Sequence, residues 1–163
     1  MKISLAKKKD LNRINDIYNY YILNTAYTFD INKRPIEKKN EWFDQFKNSE
    51  TSICLVGYEN KELIGFVCSA KFREKEAYNQ SLETSVYISD KYKGRGFGKK
   101  LMSELIARLK STNIKNLYAL ITYPNKSSIN LHKTLNFTKV GTLNNVGYKF
   151  KKYWSVHIYE LKL

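Results

Sequence analysis

The chain has 163 residues and a formal net charge of +14, from 29 Lys and Arg against 15 Asp and Glu. Its hydrophobic fraction of 42% and aromatic fraction of 14% exclude a disordered chain and allow one domain, residues 1–163, with its own core. No apolar run approaches the ~18 residues of a membrane span, and the lysine-rich start lacks the apolar segment of a signal peptide. We therefore expect a single soluble, cytoplasmic domain without a membrane partner.

Helical and strand patterns alternate in the first half of the chain. Asp10, a favourable N-cap residue, precedes apolar residues at helical spacing, and Pro35 is typical of a second helix start. The aromatic stretch 25–29 between the two helices is a β-prone connection. Two later strands are close enough to form a hairpin at residues 59–61. The predicted elements are a strand at 3–6, helices over 11–22 and 35–46, and strands at 52–58 and 63–72.

The second half begins with a strand over 82–88 in which apolar and polar residues alternate. Glu83 therefore lies on the opposite face from the apolar residues of that strand. A glycine-rich loop and a helix follow, which together with the next strand make a β–loop–α–β unit. The further elements are a helix over 99–110, a strand over 117–122, a helix over 125–135, strands over 137–143 and 153–161, and a turn at 144–147. Together they predict an α+β fold with a mixed sheet covered by helices.

The loop between strand 82–88 and the next helix carries three alternate glycines among basic residues. Glycine leaves no Cβ between the backbone and a ligand, and the helix directs unpaired N–H groups and its positive dipole end at an anion. A Walker loop is excluded because Lys93 stands where a glycine is needed and Lys100 where Ser or Thr is needed. A dinucleotide-binding fingerprint is excluded because Lys99 stands where its third glycine would be. We expect a diphosphate ligand at this loop.

The remaining pattern, a basic residue followed by x-x-Gly-x-Gly, resembles the pyrophosphate loop of the GNAT superfamily of acetyl-CoA-dependent N-acetyltransferases. Further segments, in the same order and spread over nearly the whole chain, resemble the phosphinothricin acetyltransferase branch. They include Ile17-Tyr18-Asn19, Thr28-Phe29-Asp30, Trp42-Phe43, Phe72-Arg73, Glu83 to Ile88, Pro124-Asn125, Leu131-His132 and Val146 to Phe150. The resemblance implies a GNAT fold with a mostly antiparallel sheet. It also implies direct acetyl transfer, in a ternary complex, to the α-amine of an amino acid analogue such as phosphinothricin or methionine sulfoximine, by a homodimer without a metal.

Two residues are candidates for the base that deprotonates the amine. Glu83 is a strand-borne carboxylate beside the loop, and it could take the proton directly or through water. His132 titrates in the useful range and could serve as the base or as proton donor to the departing thiolate. The resemblance matches Glu83 to the family's proposed base and His132 to its active-site histidine, and leaves open which of them is the base.

The cofactor and the acceptor are assigned to separate sets of residues. A backbone N–H of strand 86–88 is placed to stabilise the developing oxyanion. The resemblance implies that this strand pairs with the pantetheine arm and that the loop binds the diphosphate. Arg73 could bind an acidic group of the acceptor bidentately, and the resemblance places Tyr78 in the same region. The assigned cofactor residues are Val86, Tyr87, Ile88, Lys93, Gly94, Arg95, Gly96, Phe97, Gly98, Lys99 and Asn125, and the assigned acceptor residues are Phe29, Arg73 and Tyr78.

Other reactive residues are assigned structural roles. Cys54 and Cys68 lie in apolar strands without metal-ligand spacing, and His157 is expected to be buried in the last strand. Three positions depart from the family pattern: Tyr153 and Ser155 replace Trp and Asp, and Asn136 replaces a glycine.

Each of these departures has an expected effect on the structure. Asn tolerates the left-handed conformation, so the turn at Asn136 should survive. The changes at Tyr153 and Ser155 should affect the acceptor site or the dimer contact more than the fold.

Alternative functions follow from the charge and from the acceptor. A protein N-terminus or a lysine could replace the small amino acid as acceptor, whereas a polyamine would be repelled by a positive site. A charge of +14 would also suit a nucleic-acid-binding protein. The lysines, however, are scattered in short groups instead of forming one stripe, so we expect no nucleic-acid partner.

Overall fold

A seven-stranded sheet, in the order β1-β2-β3-β4-β5-β7-β6, is the framework of the fold, and the computed structural model describes all of residues 1–163. Only β4 and β5 pair in parallel, and every other neighbouring pair is antiparallel. The strands are β1 Lys2–Leu5, β2 Cys54–Glu59, β3 Glu62–Lys71, β4 Ser81–Ile88, β5 Asn116–Tyr123, β6 Thr138–Lys149 and β7 Lys152–Lys162. The helices are α1 Leu11–Asn24, α2 Ile36–Asp44, α3 Phe97–Leu109 and α4 Lys126–Lys133. The predicted α+β class is confirmed.

The helices cover both faces of the sheet and define two apolar clusters. The larger cluster joins α3 and α4 to side chains such as Leu82 and Leu117, and this side is called the α3 face. The smaller cluster joins α1 and α2 to side chains such as Phe66 and Cys68, and this side is called the α1 face. Tyr87 packs against the smaller cluster. Because side chains alternate along a strand, Glu83 shares the α1 face with Tyr87.

Two helix starts differ in detail from the sequence prediction. Asp10 does not cap α1, because its backbone is already helical in a short 3₁₀ turn, and its carboxylate instead accepts hydrogen bonds from the Lys7 N–H at 2.8 Å and from the Tyr58 hydroxyl. Helix α3 begins at Phe97, two residues earlier than predicted. Gly96 stands immediately before it with a φ of 76°, a conformation that glycine adopts without strain.

The predicted turn at 144–147 is wrong. Strand β6 continues through these residues, and the chain reverses at Phe150 and Lys151, which have φ values of 54° and 59°. Asn145 does adopt a positive φ of 50°, but within an irregular stretch where the register between β6 and β7 shifts. Its N–H donates to the Ser155 hydroxyl at 3.1 Å. The turn-forming asparagines are therefore used for a bulge instead of a hairpin end.

Two other expectations about turns are confirmed. The hairpin between β2 and β3 turns at Asn60 and Lys61, which both have positive φ, as a type I′ two-residue loop requires. Asn136 has a φ of 66°, so asparagine does supply the left-handed conformation in place of glycine.

Candidate active site

An opening in the sheet between β4 and β5 forms a cavity with a volume of about 480 Å³. The two strands pair only where Ser81–Glu83 faces Asn116–Tyr118, and they separate beyond that point. The cavity is lined from the α1 face by Tyr21, Tyr27 and Tyr87, and from the α3 face by the glycine loop and α4. It therefore connects the two faces of the sheet through its middle.

The β4 edge of this opening presents unpaired backbone groups. The Ser89 N–H donates to the Ile64 carbonyl, and the Ser81 carbonyl accepts from Phe72, so odd-numbered residues of β4 bond to β3. The β3–β4 register has no irregularity, and hydrogen-bonding directions alternate along a strand. Even-numbered Val86 therefore directs its N–H and carbonyl across the opening, where β5 is too distant to pair.

The glycine loop lies at the α3-face mouth of the cavity. Gly94 and Gly96 have φ values of 75° and 76°, and a Cβ built on either would meet no atom within 4 Å. The first hydrogen bond of α3 runs from Lys100 to the Gly96 carbonyl. The N–H groups of residues 97–99 therefore have no partner within the helix and point out of its N-terminus. This arrangement is suited to a phosphate group.

The basic residues of the loop divide into two sets. Lys93 and Lys99 line the cavity. Lys93 is held in place by Asp90, with Nζ 2.8 Å from the carboxylate and 4.8 Å from the centre of the Tyr21 ring. Arg95, which was also assigned to the cofactor, does not line the cavity, and its guanidinium lies 5.3 Å from the ring of Tyr92.

His132 and Asn125 lie on the α4 side of the cavity, and both are buried. The Asn125 Oδ1 accepts the Ser128 N–H at 3.2 Å and so caps α4. The His132 Nδ1 lies 2.8 Å from the Ser128 carbonyl, whereas its Nε2 is buried without a partner. Burial lowers the pKa of His132, and the contact with Ser128 opposes this shift. A neutral imidazole that donates from Nδ1 leaves Nε2 free to accept a proton.

Glu83 lies on the α1 face at the point where β4 and β5 begin to separate, opposite Tyr118. Burial raises the pKa of its carboxyl group, and the positive charge of Arg73 acts in the opposite direction. It does not line the cavity itself. A half-buried carboxylate with a raised pKa beside an opening is a reasonable base for an amine that enters from the α1 face.

The acceptor candidates Arg73 and Tyr78 also lie outside the cavity, near Glu83. Phe72 stacks on Tyr118, with 4.4 Å between ring centres, and Tyr78 packs edge-on against Phe72 at 6.0 Å. The Arg73 guanidinium lies 4.3 Å above the Phe72 ring and donates to the Phe72 carbonyl. The Arg73 guanidinium, which packs on this aromatic stack, is therefore exposed to solvent on the side of the sheet edge near Glu83.

Residues 3–158 match the family described as the acetyltransferase (GNAT) domain. The chain belongs to the GNAT family. It is 35% identical over 158 residues to the phosphinothricin N-acetyltransferase of Streptomyces coelicolor, covering 96% of this chain and 92% of that protein. The resemblance to the phosphinothricin acetyltransferase branch is thus confirmed.

Solved structures show the same fold. The protein yncA of Salmonella typhimurium, solved with its cofactor acetyl-CoA, is 29% identical, has a TM-score of 0.96, and is matched over 100% of this chain and 94% of its own. The ribosomal-protein-alanine N-acetyltransferase of Brucella melitensis is also 29% identical with a TM-score of 0.96, and both chains are covered completely. The predicted GNAT fold is therefore confirmed.

Two features are absent from this GNAT chain. None of its helices combines the length and apolar character needed to cross a bilayer. The fold brings together no group of three or more His, Cys, Asp or Glu side chains suited to a metal ion.

Phe29 is not a cavity residue but part of the contact between the α1–α2 loop and β6. Its ring packs directly over Gly147, where a Cβ would lie 2.3 Å from a ring carbon. Beside it the buried Lys149 ammonium donates to the Thr28 carbonyl at 2.8 Å. These two contacts fix the loop that carries Tyr27 into the cavity.

We expect Gly147→Ala to destabilise the protein by about 1–3 kcal/mol, since the added methyl group overlaps the Phe29 ring. Urea unfolding measures the change. Gly141→Ala is the matched control on the same strand, because its Cβ would lie no closer than 3.6 Å to Ile158. Equal stability of both variants would contradict the packing of the loop on β6.

Sequence reasoning missed several cavity residues, among them Tyr21 and Ser128. Tyr21 lies at an apolar position of the helical pattern over 11–22, but its hydroxyl donates to the Ile88 carbonyl at 2.8 Å and its side chain lines the cavity. No sequence signal separates it from its apolar neighbours. Ser128, which contacts His132, could have been found, because a residue four positions before a helical histidine lies on the same face.

The two cysteines and the last histidine differ in burial. Cys54 and Cys68 are buried, as expected, and both are free thiols. Burial raises the pKa of Cys68 to about 12. His157 is only half-buried, contrary to expectation, because its ring stacks on the exposed Tyr123 at 4.5 Å between ring centres.

Proposed function

We propose that this chain transfers the acetyl group of acetyl-CoA to the α-amine of a small amino acid or analogue of the phosphinothricin type. The observation that carries the proposal is a cavity through the sheet, with a helix N-terminus and glycine loop at one mouth and three tyrosines at the other. Glu83 lies beside this cavity, where β4 and β5 begin to separate. The name of the Streptomyces coelicolor relative supports this acceptor, and the acetyl-CoA bound to yncA supports the donor.

The residues at the α3-face mouth fit a coenzyme A molecule. The free N–H groups of 97–99, with Lys93 and Lys99, would hold its diphosphate. The unpaired backbone groups of Val86 would hydrogen-bond the amides of its pantetheine arm, as a strand pairs with its neighbour. Asn125 lines the same path. Acetyl-CoA supplies a thioester whose carbonyl carbon can be attacked by an amine.

Side chains of this protein would then accept and donate the protons that the reaction transfers. Glu83 would accept the proton of the acceptor ammonium, directly or through water, and its raised pKa suits that task near neutral pH. A Val86 or Ile88 N–H would donate to the oxygen on which negative charge develops. His132 is the second candidate base, or the group through which a proton reaches the departing thiolate.

Thiol release from acetyl-CoA in the presence of amino acid analogues tests the proposal. We expect turnover with phosphinothricin or a related amino acid, and a single acetylated product by mass spectrometry. Acetyl-CoA that binds but is never consumed by any amine of the panel would contradict the proposed reaction.

A second candidate acceptor is a protein N-terminus. The complete structural match to a ribosomal-protein-alanine N-acetyltransferase favours it. A peptide that begins with alanine belongs in the same panel. A higher kcat/KM for this peptide than for every free amino acid would identify a protein N-terminus as the preferred acceptor.

We also propose that the protein is a homodimer, formed through the β6–β7 hairpin. β6 is the outermost strand, and apolar side chains project from the hairpin into solvent. Exposed apolar side chains gathered on one hairpin are typical of an interface. This group, the hairpin patch, consists of Val140, Leu143, Val146, Tyr148, Phe150 and Tyr153.

We expect Tyr148→Lys to convert the dimer to a monomer, because it places a charge in the middle of the hairpin patch. Light scattering on a sizing column should then give the chain mass of 19.2 kDa instead of twice that mass. Leu23→Lys, on the exposed side of α1, is the control and should stay dimeric. An unchanged mass for the Tyr148 variant would contradict this interface.

The remaining proposals concern the domain organisation, the cellular location and the partners of the enzyme. We propose that residues 1–163 act as one domain, since one sheet runs from the first strand to the last. We infer a cytoplasmic location from Cys54 and Cys68, which face each other in register as buried free thiols, an arrangement typical of a reducing compartment. The first proposed acceptor is a small molecule, and the proposed reaction involves neither nucleic acid nor a membrane.

A further inference from the structure

Arg34 occupies an unusual place on the α1 face. Its side chain is only 20% exposed, and its guanidinium lies 4.3 Å from the centre of the Tyr18 ring and 5.4 Å from that of Trp42. Its backbone is fixed from α1, because its N–H donates to the Asn19 Oδ1 at 2.8 Å and its carbonyl accepts from the side chain of Asn15. The guanidinium is therefore held in one position before any ligand arrives.

None of the hydrogen bonds of the fold uses the N–H groups of this guanidinium. The nearest carboxylate oxygen belongs to Asp30 and lies 3.7 Å away, where it already accepts the Tyr18 hydroxyl at 2.8 Å. An arginine that is mostly buried normally uses its planar fork of donors to bind a carboxylate or another oxyanion. Arg34 thus offers a fixed and largely unused set of donors for an oxyanion.

The position of Arg34 relates it to the reaction site. Tyr18, on which it stacks, packs edge-on against the cavity residue Tyr87 at 5.1 Å. Trp42, the other ring beneath the Arg34 guanidinium, packs edge-on against Phe66 of β3, with 6.2 Å between ring centres. The charges of Arg34 and Glu83 act in opposite directions on the pKa of the nearby Cys68 thiol.

Along β3, Cys68 comes two residues before Ala70, which is the residue opposite Glu83, and Arg73 comes three residues after it. The two guanidiniums therefore lie on opposite sides of Glu83 along the strand direction.

We propose that Arg34 binds the oxyanionic end of the acceptor side chain, while Arg73 binds its α-carboxylate. Arg73 is the arginine whose charge acts on Glu83, so it suits the acid group next to the reacting amine. Arg34 lies on the other side of Glu83 along the strand direction, so it suits a group at the distal end of the acceptor side chain, such as a phosphinate or a sulfonyl. This inference rests on the proposed function and makes Arg34 a specificity-determining residue of the same site.

Three acceptors with the same carbon skeleton test the role of Arg34. Phosphinothricin carries a charged phosphinate at the distal position, methionine sulfone carries two neutral oxygens, and methionine carries a bare sulfur. We expect Arg34→Met to lower kcat/KM for phosphinothricin by about tenfold or more, since it removes a charge-assisted hydrogen bond. The loss should be smaller for the sulfone, and within about twofold for methionine.

Two further variants complete the experiment. Arg34→Lys keeps the charge but not the planar fork, and should lose part of the preference for phosphinothricin even if the Met variant is unstable. Arg108→Met removes an arginine that pairs with Glu104 on α3, and should leave kcat/KM for all three acceptors unchanged. Thermal unfolding of each variant separates a binding effect from a loss of folded protein.

Equal losses for phosphinothricin and methionine in both Arg34 variants would overturn the inference, because they would indicate a structural role or a contact with the α-carboxylate. So would an unchanged preference in the Met variant. Failure of the proposed function is a different result: the wild-type protein would then acetylate none of the three acceptors.

Discussion

Glu83→Gln is expected to lower kcat by about 10²–10⁴-fold near neutral pH, while the affinity for coenzyme A stays unchanged. The amide has nearly the same shape as the carboxyl group but cannot take a proton from the acceptor ammonium. Because Glu83 lies at the apex of the opening and outside the cofactor path, cofactor binding should not respond. Steady-state kinetics and calorimetry on the same preparations measure the two quantities.

The pH profile identifies which group is the base. Glu83 must be deprotonated to act, and burial raises its pKa, so wild-type kcat/KM should fall as the pH decreases through that raised value. The Gln variant should lack this decrease. Glu104→Gln, on the far surface of α3, is the control and should behave as wild type. If the Gln variant keeps both its rate and its acidic decrease, His132 is the base.

Gly96→Val is expected to weaken coenzyme A binding by at least about tenfold. The φ of 76° at this position costs a side-chain-bearing residue roughly 1–2 kcal/mol, and more for a β-branched one. The chain relieves this strain only by rotating the N–H groups that precede and begin α3. Those are the groups that would point at the diphosphate, so the loss should appear in the dissociation constant measured by calorimetry.

Ser103→Val is the control for this variant, since it adds the same side chain to an exposed position of α3. It should bind coenzyme A as the wild-type protein does. Thermal unfolding of the Gly96 variant should show that the domain remains folded, because a Cβ there meets no neighbouring atom. Full affinity in the Gly96 variant would exclude the loop as the diphosphate site.

The parts of the fold that could be predicted from the sequence are those specified by local chemistry. Strand β4 alternates strictly, and alternate glycines that lead directly into a helix are typical of a phosphate-binding turn, so the strand, the loop and the helix after it could be predicted from the sequence. Asn60-Lys61 and Asn136 adopt positive φ, for which asparagine is a known signal.

Predictions failed where distant contacts outweigh local preference. The true hairpin end at Phe150 and Lys151 carries neither glycine nor asparagine, and it forms because β6 and β7 continue to pair beyond the irregular stretch, from Gly147 to Lys149. Asp10 has the composition of a helix cap, but Tyr58 and the Lys7 backbone bind its carboxylate instead.

The proposed acceptor side of the site is built from residues far apart in sequence. Arg34 approaches the sheet only because Asn15 and Asn19 of α1 bind its backbone, and nothing in its own sequence neighbourhood indicates an oxyanion site. Phe29 reaches β6 because Gly147, more than a hundred residues later, leaves room for its ring. Such pairings become visible only in the folded chain.

Calorimetric titration with coenzyme A and, separately, with pantetheine tests the proposed diphosphate site most directly. Pantetheine has the arm that would pair with β4 but lacks the diphosphate. We expect a dissociation constant on the order of micromolar for coenzyme A, and binding of pantetheine weaker by about a hundredfold or more. Absence of heat with coenzyme A, or equal affinity for the two molecules, would contradict a diphosphate site at the N-terminus of α3.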